Sequence, residues 1–376
     1  MDFVDACYCE MDLSLLKKLT VVIPTHNRYT YLSRCLWYHA HFPFRQIIVA
    51  DSSSNEMKRA NKETVENMRE KFEVDILYLD YKPETERYGG DIYRKWGDAV
   101  SHVVTKYAQI CTDKEFLVPE TLLESIEFME ANPDYNVCDG NHIHIETVSD
   151  TEYTYSKIPS FSSKNESAVI RLWEMSENPG CTLLALHRSD AIKRSYQSLL
   201  DNNIDDIRFG EMYLELQDVI LGKTHNINQP HTYRDTLKFS DSNRQRMKSE
   251  SSAFRYPQLW EYQKSIYLEK YQNFVQGIAD SFPSKSSIKI ENKNLEIMLD
   301  EYIQKRMGKS HPLRNISMIR SLFYKLPRKI QKIILRVFLG DSCGISDFSE
   351  RKKLIISNSE MIITKLMRFN NSFNEM

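Results

Sequence analysis

The stretch Leu19-Thr-Val-Val-Ile-Pro-Thr-His-Asn-Arg28 constrains the fold of this chain more than any other. A continuous, largely β-branched apolar run that stops at Pro24 is the pattern of a strand buried on both faces. The polar turn after it leads into an amphipathic stretch over residues 29–41. Residues 46–50 (Gln-Ile-Ile-Val-Ala) repeat the strand pattern and end at Asp51-Ser-Ser-Ser54. Residues 56–72 read as a charged helix and 74–79 as a third strand. Strand and helix alternating at this spacing predict a parallel sheet covered by helices. Ligands of such open sheets bind in the crevice beyond the carboxyl ends of the strands. Polar residues just past each strand are therefore the first candidates for chemistry.

Downstream, Gly89-Gly90 precede a helical pattern over 92–106, and residues 107–111 form a short strand running into Thr112-Asp113-Lys114-Glu115-Phe116. Pro119 opens a helix that ends near Asn132-Pro133. Residues 137–161 are strand-like, and the Ser-rich stretch 160–167 reads as a loop. Residues 208–221 read as a helix ended by Gly222, an ordinary C-terminal signal. Beyond about Ser240 the strand signals thin out and long helical patterns take over. The expected organisation is a lead-in over 1–17, an α/β domain over 18–245 and an α-helical region over 246–376, without internal repeats.

Composition narrows the function classes. A formal net charge of −2 over 376 residues gives no reason to expect a nucleic-acid partner. Only eleven glycines are present, which weighs against several Gly-rich phosphate loops. The seven cysteines are odd in number, scattered and without a C-x-x-C pair, which fits a reducing cytoplasm. Residues 1–10 lack a signal-peptide pattern, and no apolar run reaches the ~18–20 residues that span a bilayer. Residues 311–340 carry seven cations and no acid, interleaved with apolar residues and broken by Pro327. That basic amphipathic segment predicts either contact with an anionic membrane surface, which would hold a cytoplasmic protein at the inner face of the membrane, or a helix packed on the α/β domain with a solvated basic face.

Several constellations could carry chemistry. Pro24, Thr25, His26, Asn27 and Arg28 lie past one strand and Asp51 past its neighbour, so they face one crevice and can wall in a nucleoside. Ordinary strand-ending turns would also place proline and aspartate there. Asp113 and Glu115, at i and i+2 beyond an apolar strand, can both reach a divalent cation and a diphosphate. Acids at the start of a helix are the plainer alternative, and Lys114 between them lowers the local negative charge. Lys95 and Arg94 can neutralise a diphosphate leaving group. In the helix over 208–221, Glu211, Glu215 and Asp218 share one face. A solvated acidic face accounts for Glu215 and Asp218, whereas Glu211 stands apart at the amino-terminal end beside Phe209 and Gly210. His225 and His231 follow that helix. His142 and His144, on one side of a strand, read as structural residues lining a cleft.

Taken in order, Thr-Val-Val-Ile-Pro-Thr-His-Asn-Arg, Ile-Ile-Val-Ala-Asp-Ser-Ser and Cys-Thr-Asp-Lys-Glu-Phe-Leu-Val-Pro resemble a GT-A glycosyltransferase of the family 2 type, near the bacterial subgroup that makes surface polysaccharides. The likeness covers about residues 18–235. It implies a Rossmann-like, mostly parallel sheet with flanking helices and a C-terminal helical region. It also implies that Pro24, Thr25, Asn27, Arg28 and Asp51 hold the nucleoside and that Asp113 reaches the ribose. A divalent cation, manganese or magnesium, would sit on Asp113 and Glu115, with His231 completing its shell. Glu211 would be the general base for an inverting transfer from a nucleotide-sugar donor to a hydroxyl of a glycan or lipid-linked glycan. A base of this kind contributes about 10²–10⁴-fold. The chain departs from the family pattern in having Glu115 in place of the usual final Asp and Lys114 where an acid is frequent.

Two other readings remain open. A sugar nucleotidyltransferase can share such a sheet but needs a Gly-rich loop after the first strand, which Pro-Thr-His-Asn-Arg does not supply. A catalytically inactive binding or scaffold protein of GT-A fold is the reading that Lys114 favours. A dinucleotide-binding dehydrogenase is disfavoured because no G-x-G-x-x-G follows the first strand.

Overall fold

The computed structural model describes residues 12–86, 90–147, 153–158, 160–235, 268–282 and 292–306. The chain divides into a unit Met1–Lys309 and a unit Ser310–Met376. The second unit, with the basic segment 311–340, lies outside the described residues, as does the expected boundary near residue 245.

One nine-stranded sheet organises the first unit. Its strands are β1 (Leu19–Thr25), β2 (Gln46–Asp51), β3 (Ile76–Asp80), β4 (Tyr107–Ile110), β5 (Glu115–Leu117), β6 (Tyr135–Thr147), β7 (Tyr153–Ile158), β8 (Leu186–Arg188) and β9 (Lys223–Asp235). Their order is β3-β2-β1-β4-β8-β6-β9-β5, and β7 pairs off this path with the later residues of β6, past those that pair with β8. β1 pairs parallel with β2 and β4, β2 with β3, and β6 with β9. β8 is inserted antiparallel between β4 and β6, and β5 and β7 also run against their partners. The α/β class expected from the alternating pattern is therefore present, with most strands running one way.

Helices cover both faces. They are α1 (Tyr29–His39), α2 (Asn55–Phe72), α3 (Gly90–Ser101), α4 (Pro119–Ala131), α5 (Ala168–Glu177), α6 (Ser189–Asp201), α7 (Ile207–Leu221), α8 (Leu268–Asp280) and α9 (Asn292–Arg306). Successive side chains of a strand point to opposite faces. Val22, Ile48 and Ile110 accordingly join a core with residues of α3, α6, α7, α8 and α9. Val21, Ile23, Ile47 and Val49 join a second core with residues of α1 and α4. Burial on both faces is why β1 and β2 read as unbroken apolar runs rather than alternating ones. Among the described residues no helix is long and apolar enough to cross a membrane.

Two local expectations are corrected. The helix expected over 92–106 ends at Ser101, where the β-branched run Val103-Val104-Thr105 is poorly suited to continue it. Gly222 does end α7, but not through a left-handed backbone: a Cβ there would lie 2.4 Å from the Asn136 side chain, so the glycine serves a close approach. The segments forming α5, α6, β8 and β9 carried no recognised signal. β9 contains Asn226, Asn228, Gln229 and Pro230, and it is a strand because β6 and β5 pair with it on either side. The described part of the C-terminal region is helical as expected, and α8 and α9 contribute Phe274, Ile278, Leu299 and Tyr302 to the core around α7.

Candidate functional site

Thr25 lies in register with Asp51, so the turns after β1 and β2 run side by side. They are stitched together. The Asn27 backbone N–H donates to Ser53 Oγ at 2.8 Å, and the Ser54 N–H donates to Asn27 Oδ1 at 2.8 Å. His26 Nδ1 lies 2.9 Å from the Ser52 carbonyl. Asn27 has φ 52°, a left-handed conformation that asparagine tolerates better than most residues. Asn27 therefore shapes the turn, and Pro24 is buried within β1. Asp51 sits at the expected strand end but is fully buried. Its Oδ1 accepts from Ser53 N at 2.7 Å, and its Oδ2 accepts from Asn61 Nδ2 at 2.7 Å and Tyr78 OH at 2.6 Å. With three donors already placed, this carboxylate fixes the turn rather than offering itself to the crevice.

The turn after β1 reaches across to the loop after β4. Thr25 Oγ1 donates to Asp113 Oδ2 at 2.8 Å, and Arg28 Nη1 donates to Asp113 Oδ1 at 3.1 Å. Asp113 is 1% exposed, whereas the Arg28 side chain is 43% exposed and can turn toward a ligand. Beneath them Lys95 of α3 is buried, and its Nζ donates to Ser52 Oγ at 2.9 Å. Burial drags the Lys95 ammonium down to about 7, against the opposing pull of Asp51 and Asp113. Thr25, Arg28, Lys95 and Asp113, picked out separately in the sequence, thus converge on one spot.

Glu115 is buried at the other end of the same loop. Its Oε2 accepts from the Thr112 N–H at 2.8 Å, and its Oε1 lies 3.4 Å from Arg234 Nε. Burial, then the proximity of Arg234 and Arg28, holds Lys114 down to about 8. Three cations therefore crowd the rim of this loop.

A divalent cation does not fit the expected ligands as they are folded. Both oxygens of Asp113 and both of Glu115 already face protein donors. His231 is fully buried, with Nε2 2.8 Å from Gln109 Nε2 and 3.5 Å from Asp139 Oδ1. Burial pushes its pKa down to about 4. Asp113, Glu115 and His231 do not gather: among the described residues, the group of His, Cys, Asp or Glu side chains whose ligand atoms all lie within 4.8 Å is Cys35, His39 and Cys111.

His231 belongs instead to a buried polar network that the sequence did not reveal. His142 Nε2 lies 3.0 Å from Asp139 Oδ2 and its Nδ1 2.7 Å from Thr232 Oγ1. Asp218 Oδ2 accepts from Thr182 Oγ1 at 2.7 Å and lies 3.2 Å from His187 Nε2. An aspartate inside the apolar strand Val137-Cys138-Asp139 was the one local signal for this network. His225 stacks on Phe128 at 3.9 Å between ring centroids. Both line a cavity of about 780 Å³ near the amino-terminal ends of β6 and β9, away from the strand-end crevice.

Glu211 lies in the first turns of α7 and keeps 30% of its side chain exposed. Arg306 of α9 bridges it to Glu215. Arg306 Nη2 donates to Glu211 Oε1 at 3.1 Å and to Glu215 Oε1 at 2.8 Å, and Nε donates to Glu215 Oε2 at 3.0 Å. Tyr302 OH adds a bond to Glu215 Oε2 at 2.7 Å. Glu215 is fully buried and Asp218 is 5% exposed. The solvated acidic face expected for these two residues is thus corrected, because partners distant in sequence cover that helix. Burial raises the Glu215 pKa despite Arg306. The start of α7 is tied to α3 by Tyr93, whose hydroxyl donates to the Ile207 carbonyl. Glu211 and Lys95 consequently stand on interlocked helices.

No protein-family profile matches the chain, and no curated protein sequence matches it. Among solved structures it is similar to S. aureus TarS, at 13% identity over 86% of this chain and 48% of that one, with a TM-score of 0.45. It is also similar to S. aureus TarS 1-349 in complex with UDP-GlcNAc, at 12% identity over 85% of this chain and 79% of that one, with a TM-score of 0.47. The chain spans about half the length of the first. Overlap this loose leaves the function to be read from the side chains.

Proposed function

We propose that this chain is a glycosyltransferase that binds a nucleotide-activated sugar beyond the carboxyl ends of β1, β2 and β4. It passes the sugar to a hydroxyl of a glycan or lipid-linked glycan in bacterial surface-polysaccharide synthesis. The observation that carries this reading is the convergence of Thr25 and Arg28 on Asp113, with Lys95 buried beneath. A crevice walled by two stitched turns suits a nucleoside. The cations at its rim suit the diphosphate.

In this scheme Arg28, Lys114 and Arg234 offset the diphosphate charge, the two guanidinium groups through paired N–H donors. Turned onto the diphosphate, they stabilise the negative charge that grows on the leaving group. Glu211 turns from Arg306 and takes the proton of the acceptor hydroxyl. That oxygen attacks the anomeric carbon as the bond to the diphosphate oxygen breaks, and the diphosphate leaves with the electron pair. A single displacement inverts the anomeric configuration. The basic segment 311–340 would hold the enzyme at the inner face of the membrane, each cation adding ~1 kcal/mol near an anionic leaflet.

The test measures transfer and hydrolysis of labelled UDP-, GDP-, CDP- and CMP-linked sugars, without added magnesium or manganese, by wild type and Glu211→Gln. One donor should be turned over by wild type and lost by about 10²–10⁴-fold in the variant, with donor binding kept. Equal activity of the two proteins removes Glu211 from the mechanism. A wild type that binds nucleotide but turns over no donor favours the scaffold reading.

A further inference from the structure

Cys35 and His39 sit one helical turn apart on the same face of α1, and Cys111 follows β4 directly before the Asp113–Glu115 loop. All three are fully buried, and one ligand atom from each lies within 4.8 Å of the others. His39 Nδ1 is 2.8 Å from the Cys35 carbonyl, so the ring N–H belongs on Nδ1 and the lone pair on Nε2. A metal-bound histidine characteristically donates its other ring N–H in this way. Nε2 lies 3.8 Å from Cys111 Sγ, and Nδ1 lies 3.4 Å from Cys35 Sγ. The Glu115 carbonyl oxygen is 3.6 Å from Cys35 Sγ and 3.4 Å from Cys111 Sγ. Zinc bonds of ~2.3 Å to sulfur and ~2.0–2.1 Å to nitrogen or oxygen give a tetrahedron with edges of ~3.5–3.8 Å. The distances between proposed ligand atoms are 3.8 Å from Nε2 to Cys111 Sγ, and 3.6 and 3.4 Å from the Glu115 oxygen to Cys35 Sγ and Cys111 Sγ.

We propose that Cys35, His39 and Cys111, with the peptide oxygen of Glu115, form a structural zinc site behind the loop that presents Asp113. Two thiolates, an imidazole and one oxygen make a four-coordinate set of zinc's usual donor types, and thiolate softness disfavours magnesium and manganese. The Leu117 N–H reaches Nε2 at 3.3 Å, longer than an ordinary bond of about 2.9–3.0 Å, so the metal displaces a weak contact. With the Glu115 oxygen as a ligand, the ion ties α1 to the loop. The turn that carries Arg28 leads into α1, so the residues meeting at Asp113 are braced from below. This zinc is separate from any cation on the donor diphosphate and does not depend on the proposed reaction.

Metal analysis of the full chain, purified under reducing conditions, tests it. Wild type should carry about one equivalent of zinc through gel filtration. Replacement by cobalt should give thiolate-to-metal charge transfer and tetrahedral ligand-field bands. Both should be lost in Cys35→Ser and Cys111→Ser and kept in Cys181→Ser. A serine in this core can unfold the chain, so the cobalt spectrum of wild type decides independently of the variants. Substoichiometric metal, cobalt bands without thiolate character, or a Cys35–Cys111 disulfide in peptides of the native protein would each overturn the site.

Discussion

Replacing Arg306 by alanine removes the group that joins α9 to α7. In wild type its guanidinium makes two bonds to Glu215 and one to Glu211, and Glu215 has no solvent exposure of its own. Loss of the guanidinium leaves a buried carboxylate held only by the Tyr302 hydroxyl. Breaking a buried pair from one side costs about 3–5 kcal/mol, against about 0–1 kcal/mol for an exposed pair. Arg306 keeps 29% of its side chain exposed, which lets some water reach the orphaned acid and points to the lower end, about 3 kcal/mol. Arg306→Met with Glu215→Met replaces the pair by apolar groups of similar volume. The double variant should recover most of the loss, short of the roughly 1 kcal/mol lost when Tyr302 is left without an acceptor. Urea unfolding followed by tryptophan fluorescence reads all three proteins through their midpoints. If Arg306→Ala costs under about 1 kcal/mol, or the double variant is no more stable than Arg306→Ala, Glu215 is not a desolvated partner and the reasoning fails.

Two further outcomes are expected. Lys95 holds its proton with a pKa of about 7 in the folded chain and near 10.5 when unfolded. The unfolded state therefore binds more protons between those values, and stability should rise with pH across that window. Lys114, at about 8, adds in the same sense over a narrower range. Lys95→Met should flatten most of the rise in urea midpoint between pH 7 and 10, and an unchanged slope would show the ammonium to be solvated. Gly222→Ala should cost about 1–3 kcal/mol by driving a methyl group into Asn136, and Asn136→Ala in the same chain should return most of it in thermal unfolding.

The parallel half of the sheet was legible because buried strands spell themselves as apolar runs, and the candidate residues at their ends lie close to them in sequence. Thr25, Arg28 and Asp113 could be chosen for that reason, and they meet. What failed was everything set by distant pairing. Glu215 and Asp218 look solvated along α7 and become buried only when Arg306, Tyr302, Thr182 and His187 arrive from other elements. His231 lies in a strand with little strand propensity, so neither β9 nor the Gln109 and Asp139 beside that ring could be foreseen. Cys35, His39 and Cys111 share no spacing motif, because a helix and a separate strand bring them together.

The Tyr93 ring lies flat against Gly210, where an added Cβ would come within 2.2 Å of it. Descendants of this chain are thereby bound to a joint choice: any side chain gained at 210 demands a smaller residue at 93, and neither position can drift alone. Those two columns, one on the helix of Lys95 and one beside Glu211, should covary wherever the protein has diverged.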